Sequence, residues 1–226
     1  MEGVPDKLKT IFFDVGNTLL FPDRARILAP LAKLGHSPTL DQWQAIERTT
    51  KRKFDAIVEQ GAPVDHGFWF MFYERLLAEL GVKDNQVRDS LVGATQRSAN
   101  WCVIRPGTRE LLQRLGERYP LAVISNADGK IEDVLTRCGI ADCFATITDS
   151  GLVGYEKPHP AIFQSALQAM EATPEASLYV GDVYSVDYLG ATNAGMQGML
   201  LDVAGAYRDA GLPRVESLEE LTECLM

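Results

Sequence analysis

Five places in the chain carry residue types that could do chemistry together. The apolar run over residues 9–13 ends in Asp14, and that over 177–181 ends in Asp182. A third run, 121–124, ends in Ser125 and Asn126. Lys157 stands in the loop 154–160, and Asp187 follows Asp182 by five positions. Singly, each has an ordinary explanation. An Asp or a Ser-Asn pair after a strand is a turn former or helix cap. A lone lysine is a solvated charge, and an acid in a helical stretch is an exposed one. The joint order, strand–Asp14, strand–Ser125, loop–Lys157, strand–Asp182-x4-Asp187, is hard to obtain by accident. Two strand-end carboxylates brought together need a shared cation. In open α/β sheets ligands bind beyond the carboxyl ends of the strands, where these residues fall.

The elements that must deliver them read as alternating strands and helices. Short β-prone runs occupy 9–13, 121–126, 144–148, 177–182 and 198–201. Helical spacing fills 106–118, with Thr108 as a cap, then 130–138, 160–170, 185–194 and 217–224. Such alternation predicts a parallel sheet covered on both faces. Between residues 22 and 102 the texture changes. Apolar spacing over 26–35, 39–60, 67–80 and 85–100 predicts helices, and no strand interrupts them. The expected fold is α/β: a Rossmann-like, doubly wound parallel sheet built from residues 8–21 and 103–226, with an all-helical cap inserted over 22–102.

Composition bounds the function. At 226 residues with 46% hydrophobic and 23% charged residues, the chain can bury a core without disulfides and is neither fibrous nor disordered. No apolar stretch is long enough to span a membrane. The net charge of −9 lacks the footprint of a nucleic-acid binder, though a local cation can still attract a small anion. Cys102, Cys138, Cys143 and Cys224 form no Cys-x-x-Cys pair, and His36, His66 and His159 are scattered, so zinc is not expected. The first seven residues lack a basic region followed by a long apolar run, so no secretory signal is expected. Reduced thiols in a cytoplasmic protein, a monomer or homodimer, are the expectation.

These motifs resemble the haloacid dehalogenase superfamily, in the branch with a helical cap after the first motif. The resemblance is carried by Asp14-Val15-Gly16-Asn17-Thr18, Ser125-Asn126, Lys157-Pro158 and Gly181-Asp182-x4-Asp187, and it spans residues 10 to about 205. It implies a Mg²⁺-dependent phosphohydrolase acting on a small phosphorylated metabolite. Asp14 would be the nucleophile that forms an aspartyl-phosphate. Ser125, Asn126, Thr18 and Lys157 would hold the phosphoryl group, and Lys157 would also neutralise Asp14. Asp14, Asp182, the carbonyl of Gly16 and Asp187, directly or through water, would hold the metal. Three carboxylates, one lysine and Mg²⁺ sum to zero charge, and an oxygen-rich site suits Mg²⁺.

Two positions depart from the family pattern. Phosphatases of this kind usually carry a second Asp two residues after the nucleophile, as general acid–base, and here that position is Gly16. Such catalysis is worth about 10²–10⁴-fold. Valine at 186 is a milder departure. The departures leave alternatives open. One is a 2-haloacid dehalogenase-like hydrolase, although such enzymes usually lack the acidic pair. A second is phosphonate cleavage through a cap lysine, for which Lys51 and Lys53 are candidates that read more simply as solvated charges. The third is a weakly catalytic phosphate-binding or interaction module. The cap would set substrate choice, with Arg24, Arg26, Trp43, His66, Trp69 and Tyr73 as candidates. The aromatic run 68–73 reads first as cap core, and His66 is a substitute proton donor only in second place.

Overall fold

A computed structural model of the chain describes residues 8–61 and 67–226. His66 lies outside the described residues. Among the described residues eight strands are formed: β1 Thr10–Phe13, β2 Leu20–Pro22, β3 Trp101–Ile104, β4 Leu121–Ser125, β5 Thr146–Asp149, β6 Ser177–Gly181, β7 Gln197–Leu201 and β8 Arg214–Val215. Six of them make one sheet in the order β5-β4-β1-β6-β7-β8, and every pairing in it is parallel.

The central strands β1, β4 and β6 are mostly apolar because both faces are covered. Ile11 and Phe13 of β1, Leu121 and Val123 of β4, and Leu178 and Val180 of β6 enter one cluster. Phe12, Ala122, Ile124 and Tyr179, the alternate residues, enter the other. The first cluster is closed by Leu112 and Leu115 of α6 (Thr108–Gly116), by Ile131, Val134 and Leu135 of α7 (Ile131–Arg137), and by Leu221 of the C-terminal helix Leu218–Leu225. The second is closed by Ile162, Phe163 and Ala166 of the helix Pro160–Ala169. Each fully buried large apolar side chain contributes about 1.5–3 kcal/mol of transfer free energy, so this two-sided burial holds the sheet between its helical layers.

Chain order reverses at β1, with β4 and β5 to one side and β6, β7 and β8 to the other. The crevice above β1 is therefore the switch point of the sheet.

The insert is helical: α1 Arg24–Ile27, α2 Ala29–Ala32, α3 Leu40–Glu59, α4 Gly67–Glu79 and α5 Asn85–Thr95. Thr39 caps α3 in a reciprocal pair with Gln42, and Asp84 caps α5 through the amides of Gln86 and Val87. Of the aromatic run 68–73, Phe72 and Tyr73 lie in the core of the insert, with Phe68 and Trp69 half-buried against it. Phe72 and Tyr73 are fully buried, and Trp43 packs on Phe72 at 4.6 Å between ring centroids.

The structure corrects several local expectations. Residues 20–22 and 101–104, where no strand was expected, pair as antiparallel strands. The helix expected over 85–100 ends at Thr95, and residues 98–100 form a 3₁₀ turn. The stretch expected as one helix over 185–194 starts as a π-helical turn, Tyr184–Tyr188. Gly107, with φ 82°, stands at the cap position expected of Thr108, which is the first helical residue.

Candidate active site

Asp14 follows the last residue of the central strand β1, with Ser125 ending β4 on one side and Asp182 following β6 on the other. All three are buried. Backbone geometry after Asp14 turns sharply: Asn17 has φ 53°, a conformation that Asn tolerates better than other non-glycine residues, and its amide donates to Leu20 O at 2.9 Å. The turn brings Thr18 Oγ1 to 3.4 Å from Asp14 Oδ2, a long contact.

Lys157 links the strand ends. Its ammonium donates to Asp14 Oδ1 at 2.6 Å, to Asp187 Oδ1 at 2.8 Å and to the Tyr179 hydroxyl at 2.7 Å, so all three protons are used. Asn126, expected at the phosphoryl group, spends its side-chain amide on the backbone of Lys157. Its Oδ1 accepts from Lys157 N at 2.7 Å, and its Nδ2 donates to Lys157 O at 3.0 Å.

Asp187 is similarly engaged. Its Oδ2 accepts from the amides of Asp182 and Val183 at 3.1 and 2.9 Å, and its Oδ1 from Lys157 and Tyr179. That packing depends on Gly181, where a Cβ would stand 2.5 Å from Asp187 Cγ. Asp187 is thus suited to bracing the cluster, while the less engaged oxygens belong to Asp14 and Asp182.

Two further groups complete the cluster: Tyr179, which the sequence did not single out, and Lys51, read there as a candidate only in second place to a solvated charge. Tyr179 lies in the buried run of β6, where a tyrosine hydroxyl needs a partner; it accepts from Lys157, and its single proton has Asp187 Oδ1 at 3.1 Å and Ile124 O at 3.2 Å as alternative acceptors. Lys51 of α3, expected to be a solvated charge, is only 1% exposed and ion-pairs with Asp182 Oδ2 at 2.7 Å and Glu47 Oε1 at 2.9 Å. The Asp182 Oδ2 contact lies off the line of a hydrogen bond, leaving that atom without a directed partner. The spacing Glu47–Lys51 is the one available signal, but i,i+4 pairs are commonly surface pairs. Lys53 is exposed, as expected.

Electrostatics follow from burial. It pushes the Asp14 carboxyl up to about 6, with Lys157 pulling the other way. It pushes Asp182 up to about 7 against the pull of Lys51. Burial works against the Lys157 ammonium, but Asp14 and Asp187 outweigh it and hold the group above the usual lysine range. Asp14, Asp182 and Asp187 offer oxygens that all lie within 4.8 Å of one another. With Glu47 they make four carboxylates against the ammoniums of Lys51 and Lys157, an excess of two negative charges when all are ionised. Hard oxygen donors, unsaturated lone pairs on Asp14 and Asp182, and that charge excess fit one divalent cation such as Mg²⁺.

Gly16 is not held in the left-handed region. What meets a side chain there is Trp101: a Cβ would lie 3.3 Å from Cζ3 of the indole. The ring is anchored by its N–H, which donates to Thr95 O at 2.7 Å, and by Trp69 at 5.5 Å between centroids. The remaining cap candidates are spent locally. Arg24 donates to Pro38 O and lies over the Trp43 ring, and Arg26 pairs with Asp23. Among the described residues no helix is long and apolar enough to cross a membrane.

The model of haloacid dehalogenase-like hydrolases matches residues 8–195. Glyceraldehyde 3-phosphate phosphatase of Methanothermobacter thermautotrophicus is 32% identical over 199 residues, covering 86% of each chain. Haloacid dehalogenase-like hydrolase domain-containing protein 3 of Mus musculus is 35% identical, over 64% of this chain and 61% of its own length. The crystal structure of a candidate HAD-hydrolase, YfnB of Bacillus subtilis, bound to magnesium, superposes with a TM-score of 0.70 at 20% identity, covering 97% of this chain and 99% of that one.

Proposed function

Because the chain belongs to the haloacid dehalogenase-like hydrolase family, we propose that it is a Mg²⁺-dependent phosphohydrolase of small phosphorylated metabolites. The observation that carries this reading is the pairing of Asp14 with Lys157 beside the Asp182–Asp187 carboxylates at the sheet's switch point. The phosphatase named among its relatives supports the same class of reaction.

In this reading Asp14 attacks phosphorus, the bond to the leaving oxygen breaks, and the resulting aspartyl-phosphate is hydrolysed by water. Lys157, at 2.6 Å, keeps Asp14 in its ionised, nucleophilic form and balances charge on the transferred group. Asn126 and Tyr179 hold Lys157 at backbone and ammonium respectively. Ser125, buried at the tip of β4, and Thr18 are the hydroxyls for the phosphoryl oxygens. Asp14, Asp182 and the carbonyl of Gly16 would hold Mg²⁺, with Asp187 bracing them. Bound there, the ion supplies positive charge against which an anionic substrate can approach the carboxylates. Gly16 offers no acid for the leaving oxygen, so the reading includes a preference for good leaving groups. The helical segment 22–102 serves as the cap and residues 8–21 and 103–226 as the core. Four free cysteines accord with a cytoplasmic setting.

A panel of phosphorylated metabolites assayed with and without a chelator tests the reading, with a 2-haloacid and a phosphonate alongside. Phosphate release that needs Mg²⁺ and is lost in Asp14→Asn is expected. Halide release without metal would replace this reading with a dehalogenase.

A further inference from the structure

On α3, Glu47, Lys51 and Asp55 follow at four-residue spacing, form one stripe of the helix, and are all buried. The stripe docks the cap on the core. Asp55 accepts from the Ser185 amide at 3.0 Å and from the Tyr207 hydroxyl at 2.8 Å. Arg48 and Arg52 beside it donate to the carbonyls of Ala204 and Ala206 at 3.1 and 2.8 Å. At the centre Lys51 carries a positive charge from the cap onto Asp182 Oδ2.

We infer that Lys51 and the divalent cation compete for Asp182, so that docking of α3 on the core and metal uptake oppose each other. The inference rests on the Mg²⁺ site proposed above. The Lys51 ammonium, 2.7 Å from Asp182 Oδ2, stands where a cation on that oxygen would stand, and Lys157 on Asp14 already leaves the cluster a second buried ammonium, so a metal arriving at Asp182 is repelled by Lys51. Lys51 has a second anionic partner in Glu47, on its own helix. The pair can therefore withdraw with the cap as a neutral unit, without stranding a bare charge. The other contacts of the docked face named above are hydrogen bonds that water can replace, so undocking exposes few groups to an unmet demand. By linkage, whatever metal does to docking, docking does to metal affinity.

The test is Mg²⁺ titration calorimetry on the full-length parent, Lys51→Met and Lys51→Arg. Lys51→Met is expected to bind Mg²⁺ at least about tenfold more tightly than the parent. Lys51→Arg, which keeps the charge, is expected to stay near the parent. In parallel, hydrogen exchange over residues 40–59 of the parent is expected to speed up when Mg²⁺ is added. Equal or weaker Mg²⁺ binding by folded Lys51→Met overturns the inference and leaves the phosphatase reading standing. Slower exchange over 40–59 on adding Mg²⁺ to the parent also overturns it, and needs no variant to fold. No Mg²⁺ uptake by any of the three proteins overturns the inference and the metal site together.

Discussion

Restoring an acid at position 16 separates two explanations for its absence. The substitution is Gly16→Asp. Its Cβ would sit 3.3 Å from Cζ3 of Trp101 and 3.6 Å from Cε3 and Cη2, tight even before the carboxyl is added. Trp101 is held by its bond to Thr95 O and by Trp69, so it does not simply step aside. Overpacking of this kind costs about 1–3 kcal/mol. The new carboxylate would also stand near Asp14, whose ionisation burial already opposes. Gly16→Asp alone is therefore expected to lose about 1–3 kcal/mol in chemical denaturation and to gain nothing on alkyl phosphates. Trp101→Leu opens the space. In that background Gly16→Asp should cost less by a similar amount, a coupling a double-mutant cycle reads directly. Only there should alkyl-phosphate turnover rise, by up to about 10²–10⁴-fold, because alkoxides are the leaving groups that need a proton. The parent itself should favour aryl and acyl phosphates. A Gly16→Asp single variant as stable as the parent and much faster on alkyl phosphates would refute the steric argument. A parent that cleaves alkyl and aryl phosphates equally fast would refute the reasoning from a missing acid.

Other consequences are measurable. Asp182→Ala should abolish Mg²⁺ binding in calorimetry and phosphate release with it; unchanged affinity would contradict the site. Asp14 and Asp182 are raised in the fold from 3.8 to about 6 and about 7, so the metal-free protein holds extra protons in that interval. Their contribution to stability is present below about pH 4 and lost as pH rises through about 6–7, and Mg²⁺ must displace those protons to bind. The rise in melting temperature on adding Mg²⁺ should thus be larger at about pH 8 than at about pH 5, and the reverse order would contradict the assignment. Tyr179→Phe strips Lys157 and the Ile124 carbonyl of a buried partner and should cost about 1–3 kcal/mol; an unchanged denaturation midpoint would show that the hydroxyl is not needed there.

What the sequence made legible was whatever local pattern determines. Asp14 and Asp182 stand out because a buried parallel strand is a continuous apolar run, and an acid at its tip breaks that run. Lys157 is legible only through the order of its neighbours along the chain. Lys51 was misread for a physical reason: a Glu–Lys pair one helical turn apart looks the same on a wet surface as against a buried carboxylate. Only the tertiary contact with Asp182, 131 positions away, distinguishes them. Tyr179 was hidden by its apolar ring, and Asn126 by the fact that its partner is a backbone group. The strands β2, β3 and β8, of three, four and two residues, are too short to show a period. Trp101 joins Gly16 across 85 positions, which no local spacing encodes.

The paired strands at the base of the insert have an engineering meaning. Leu20 faces Ile104 and Phe21 faces Val103, and the Asp23 amide donates to Asn100 O at 2.8 Å, so the chain leaves the core and returns to it through neighbouring positions. Antiparallel partners lie about 4.5–5.5 Å apart between Cα atoms. A gap that small can be closed by a short turn or by a different insert of any length whose ends meet. The core strands need not learn which. Such a junction should let the segment between Pro22 and Trp101 be replaced while the sheet and its carboxylates stay unchanged. A chimera carrying a foreign helical segment on this stem, or a two-residue loop in its place, is the natural starting point for separating what the core does from what the covering selects.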